Sequence, residues 1–152
     1  MKISKRRFLQ IAMATPLAGF LTSPALAAKP QWFDVDGIAI RGYDPVAYFK
    51  VSAPVKGKPE FALDFDGVIW HFSSAENLLE FTNDPWAYAP QFGGYCAYAV
   101  SKGGTATTQP DAWTVWNGKL YLNFKTTVRG ILVQDIPGNV AKAEANWPGV
   151  LA

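Results

Sequence analysis

Two dipeptides constrain this chain more than anything else in it. Asp66-Gly67 and Asn117-Gly118 each stand between runs rich in aromatic and β-branched residues. Asx-Gly at such a place accepts positive φ at both central positions. A type I′ turn requires this, and its twist matches that of the strands it joins. Before the first turn, Phe61, Leu63 and Phe65 alternate with Ala62 and Asp64, and Ile69-Trp70-His71-Phe72 returns. Ala112 to Trp116 enters the second, and Lys119 to Phe124 leaves it. Both are predicted β-hairpins.

The segments between and after them have helical punctuation. Ser73 or Ser74 caps a helix, Ser73 having capping-box spacing to Glu76, with Leu78, Leu79 and Phe81 as its apolar face. Asn83-Asp84-Pro85 ends it. Asp44-Pro45 opens a short turn carrying Val46, Tyr48 and Phe49. Two C-terminal helices are expected, from Thr127 to Gln134 and from Pro137 to Asn146, stopped by Pro148. The run Ala89 to Val100 reads equally as a buried strand or a short helix. Its Gly93-Gly94 permits positive φ or close backbone approach. The expected fold class is α+β: two β-hairpins forming a small antiparallel sheet, with helices packed on one face.

The two hairpins share turn, spacing and aromatic position, and a string Asp/Gln-Pro-x-Ala-aromatic occurs at 44–48, 84–88 and 109–113. Such short matches favour one local solution used repeatedly over an internal duplication.

Residues 1–27 read as an export signal. Lys2, Lys5, Arg6 and Arg7 precede an apolar stretch from Phe8 to Leu21, and Ala25-Leu26-Ala27 supplies a small-residue cleavage site. Ser4 to Gln10 is similar to the twin-arginine export pattern, with Lys5 in place of the first arginine. The stretch is too short and too interrupted for a membrane span. The whole chain has a formal charge of +2, yet the signal holds four bases and no acid. Without it ten Lys and Arg face twelve Asp and Glu, a charge of −2. No basic patch remains for nucleic acid. The expected product is a periplasmic domain, with residues 28–39 as an N-terminal arm and 40–149 as the domain proper. Its partners are the export machinery and an unidentified ligand or protein.

The run Phe65-Asp66-Gly67-Val68-Ile69-Trp70-His71-Phe72-Ser73-Ser74, continued by Phe81, Pro85 and Tyr88, resembles the YHS domain. Gly42 to Phe49, Gly93 to Val100 and Ala145-Asn146-Trp147-Pro148 resemble an exported bacterial branch of that family. The resemblance implies a small binding or accessory domain. Metal-associated YHS and TRASH domains resemble one another in three cysteines. Here Ala47, Ser73 and Asn77 stand at those places, so the family's thiolate cluster cannot form there.

The remaining chemistry is sparse. The chain has one Cys and one His. Cys96 reads as a buried small hydrophobe or as an exported thiol that binds copper or reacts, with His71 as its metal-binding partner. Alternation places His71 opposite Trp70 and Phe72, on the outer face of its strand. Tyr95, Tyr98, Trp70 and Trp113, with Cys96, are the candidates for a pocket taking a planar or apolar ligand. No catalytic constellation is present. The preferred expectation is a non-catalytic domain binding a metal ion or small ligand. The alternatives are a Cys96-centred redox or copper-handling protein and a protein–protein interaction module.

Overall fold

The computed structural model describes residues 28–152, and the expected signal lies outside them. The α+β class is present, built on three Asx-Gly turns. Asp36-Gly37, Asp66-Gly67 and Asn117-Gly118 all have positive φ at both positions. They join β1 (Asp34–Val35) to β2 (Ile38–Ala39), β3 (Lys58–Phe65) to β4 (Val68–Phe72), and β5 (Gln109–Trp116) to β6 (Lys119–Asn123). No helix of the described residues is long and apolar enough to cross a membrane.

The two expected hairpins do not share a sheet. The first belongs to a four-stranded sheet of order β1-β2-β4-β3, in which β2 runs parallel to β4; the second is a separate two-stranded sheet. Burial explains the separation. Leu120 and Leu122 of β6 enter a core with Trp70, Phe72 and Phe81, while Tyr121 between them enters a second core with Phe92, Val100 and Leu132. A strand buried on both faces is an internal layer. The helices therefore do not all lie on one side of a common sheet. Helix α2 (Ala75–Asn83) packs on the first hairpin. Helices α4 (Ala97–Ser101), α5 (Thr126–Leu132) and α6 (Ile136–Asn146) gather around the second core. Two shorter helices, α1 (Ala47–Lys50) and α3 (Pro85–Tyr88), complete the set.

The expected arm is integral to both cores. Trp32 lies in the first and Phe33 in the second, and the Trp32 indole donates to Asp66 Oδ2 at 2.8 Å. Ser74, rather than Ser73, caps α2, accepting from Asn77 N at 3.1 Å. The ambiguous run 89–100 resolves into a tight turn over Gln91–Gly94 followed by α4.

The likeness of the hairpins goes deeper than local turn chemistry. In each, four consecutive pairs run back from the turn before the register jumps, from Ala62↔His71 to Lys58↔Phe72 and from Trp113↔Leu122 to Gln109↔Asn123. Pro59 and Pro110 occupy the two bulges, where a missing N–H leaves no gap in the ladder. Each hairpin is preceded by three successive residues at positive φ: Ile40, Arg41 and Gly42 in one case, Phe92, Gly93 and Gly94 in the other. Extended Tyr43 and Tyr95 follow. Next come Asp44 and Cys96, whose side chains accept backbone N–H groups of the next short helix. Their own N–H groups donate to Val55 O at 2.9 Å and Ala106 O at 3.0 Å. Turn, cap, bulged hairpin and helix thus recur in order. Residues 40–83 and 92–132 are two structural copies of one order of elements.

Candidate functional site

Ala47, Ser73 and Asn77 converge on Asp44, which is fully buried. Its Oδ1 accepts from Val46 N at 2.9 Å and Ala47 N at 3.3 Å. Its Oδ2 accepts from Ser73 N at 2.8 Å, Ser73 Oγ at 2.6 Å and Asn77 Nδ2 at 2.7 Å. Five donors outnumber the about four lone-pair sites of an acceptor-only carboxylate and leave none for a cation. A hydrogen-bonded knot thus ties α1 to the start of α2. Among the described residues no group of three or more His, Cys, Asp or Glu side chains is placed to hold a metal ion.

Cys96 is 1% exposed. Its sulfur caps α4, accepting from Ala99 N at 3.5 Å, and its thiol faces Asn123 Oδ1 at 3.6 Å. Asn123 Nδ2 beside it has no hydrogen-bond partner among the described residues. Tyr95 belongs to the second core, its hydroxyl donating to Pro30 O at 2.8 Å. Tyr98 packs on the edge of that core, with the Lys102 ammonium 5.2 Å from its ring centre. Trp70 lies in the first core, and Trp113 packs against it beside Tyr48, at 5.6 Å between ring centres. The candidate pocket residues are therefore divided between two cores and form no common cavity. His71 shares no partner with Cys96.

His71 is instead part of an open cleft of about 540 Å³. The strand order that buries Trp70 and Phe72 turns His71 outward, as alternation requires. The facing wall is built from residues 42–44, which pair with 55–57: Gly57 N donates to Gly42 O at 2.8 Å, and Tyr43 bridges Lys56. A side chain on Gly42 would begin 3.3 Å from His71 Nδ1 and 3.5 Å from Lys56 Nζ. Only glycine leaves that space open, and φ +76 there favours glycine as well.

The turn leading into the cleft wall is strained behind it, as its counterpart at Phe92 is. Ile40, a β-branched residue, has φ +43, an outlier costing on the order of 1–3 kcal/mol. The turn it belongs to presents Arg41, whose Nε donates to Thr108 O at 2.8 Å and whose guanidinium lies 5.5 Å from the Phe33 ring centre. Lys56 Nζ donates to Arg41 O at 2.6 Å and sits 5.0 Å from the Tyr43 ring centre. Neither cation forms an ion pair among the described residues, where both salt bridges belong to Lys50. The His71 pKa is held below the usual imidazole value, first by burial and then by the Lys56 ammonium. At neutral pH the cleft thus presents two cations and a neutral imidazole.

Arg41, Gly42, Lys56 and Gly57 were not legible as site residues. They lie in a loop and a turn remote from His71 in sequence, and only the pairing of 42–44 with 55–57 assembles them. The chain was compared with known family models, curated proteins and solved structures, and nothing among them matches it.

Proposed function

We propose that the protein is an exported, YHS-like binding domain, acting without catalysis, that holds a small ligand in the cleft beside His71. One observation carries this reading. Gly42 keeps open the space between His71 Nδ1 and Lys56 Nζ. The volume lies within the usual range for small-molecule sites, and apolar Ile38 and Pro110 line it together with the polar groups. The export signal and the YHS-like residues of the first hairpin supply the setting.

A small ligand is favoured over a metal ion because Asp44 is saturated by five donors and Cys96 is engaged in capping α4. The test is a fragment screen of purified protein read by amide chemical shifts. Ligands should move Gly42, Gly57 and His71 together, and His71→Trp, which fills the cleft, should abolish the shifts. A diverse screen that leaves these amides still, or Cu(I) binding lost on Cys96→Ser, overturns the reading.

A further inference from the structure

We propose that the cleft selects a small organic carboxylate with an apolar body, an inference that rests on the cleft being the binding site.

The second copy of the unit shows what the fold itself requires at these positions. Where the first copy has Arg41, Lys56 and His71, the second has Gly93, Thr107 and Leu122. Leu122 is buried against the first core, and Gly93 is buried as well. The same backbone is thus made without any of the three polar groups. Arg41, Lys56 and His71 are not there to form the turn or the strand.

Their arrangement fits an oxyanion. The Arg41 guanidinium is fixed by its Nε bond to Thr108 O and by the Phe33 ring beneath it. Its two Nη groups make no hydrogen bond among the described residues, so one edge of the planar fork is left for a ligand. A planar fork matches the two oxygens of a carboxylate. Lys56 is tethered to the Arg41 carbonyl, which brings a second positive charge to the same rim. The one acidic side chain lining the cleft, Asp36, is exposed at the tip of the β1–β2 turn. The remaining lining is largely apolar, including Ile38, Pro59 and Pro110. One charged end and one apolar wall describe an amphipathic acid better than inorganic phosphate, which offers nothing for the apolar wall.

The experiment titrates the purified protein with benzoate and hexanoate, following the Gly42, Gly57 and His71 amides. Benzyl alcohol, hexylamine and inorganic phosphate are the comparison probes. Benzoate and hexanoate should shift the three amides, and the neutral and cationic analogues should not. Arg41→Gln and Lys56→Gln should each weaken binding about ten-fold or more, the scale of a hydrogen bond to a charged group. Lys56 is exposed, so K56Q keeps the test decisive if R41Q fails to fold. Equal binding of benzyl alcohol or hexylamine overturns the carboxylate class while leaving the cleft as a binding site. Phosphate binding as tightly as benzoate also overturns it, as does unaltered benzoate affinity in both variants. If no probe of any charge moves the three amides, the cleft reading fails with it.

Discussion

Gly57 lies against the backbone of His71, so close that a side chain there would begin 2.6 Å from His71 Cβ. The contact joins the loop after α1 to the outer face of β4, and it sets the distance between the two walls of the cleft. Gly57→Ala should therefore destabilise the fold by about 1–3 kcal/mol, the scale of overpacking, and shift the His71 imidazole resonances. Gly104→Ala, with open space around the added methyl, should stay within about 0.5 kcal/mol. Urea midpoints measure both. Equal midpoints would mean that the two walls do not touch.

Asp44→Ala should cost about 3 kcal/mol or more, because it leaves donors from three segments unpaired around a buried hole, each costing about 1–3 kcal/mol. Ser73→Ala removes one hydroxyl from the same cluster and should cost about 1 kcal/mol. Chemical denaturation gives both values. An Asp44 variant as stable as the Ser73 variant would remove the knot from any account of how α1 meets α2.

His71 gives a pH dependence with a definite sign. Its pKa is lowered in the folded state, so the unfolded chain binds the proton more readily. Stability from this group is complete above the unfolded value of about 6.5 and is lost as pH falls below it. The charged groups facing it are Lys56, Arg41 and Asp36 around the cleft. Lys56→Gln should raise the pKa only part of the way, burial being the larger cause. The chain has a single histidine, so one imidazole proton followed through a pH series reads it directly. A pKa at or above about 6.5 in the unmodified protein would contradict the geometry.

Asp66 and Asn117 occupy equivalent turns, yet only Asp66 also holds the Trp32 indole. Asp66→Ala should cost about 1 kcal/mol more than Asn117→Ala, the worth of that additional bond. Thermal melts of the two variants compare them. Equal losses would leave residues 28–39 held to the first core by the packing of Trp32 alone.

Cys96 should resist a water-soluble thiol reagent in the native protein and react stoichiometrically once urea unfolds it, being 1% exposed when folded. Rapid labelling of the native state would place the thiol at the surface.

What the sequence revealed, and what it hid, follows from how far each signal reaches along the chain. Asp66-Gly67 and Asn117-Gly118 were readable because long alternating runs flank them. Asp36-Gly37 is the same chemistry between strands of two residues each, too short for alternation to register. The unbroken apolar run Leu120-Tyr121-Leu122 already signalled a strand covered on both faces; read as half of a single shared sheet, it lost that meaning. The outward placement of His71 was legible from its buried neighbours Trp70 and Phe72. The cleft itself was not, because nothing local marks Ile40 for positive φ or brings Lys56 to Arg41.

Two units of one order of elements in a single chain need not have separate interiors. Here Leu120 and Leu122 of the later part close the core of the earlier one, and Phe33, from ahead of both, closes the core of the later. The earlier unit takes part of its interior from the later one, and the later takes part of its own from the stretch ahead of both. Cutting away the later unit would open the first core at Leu120 and Leu122, and cutting away the stretch ahead of both would open the first core at Trp32 and the second at Phe33.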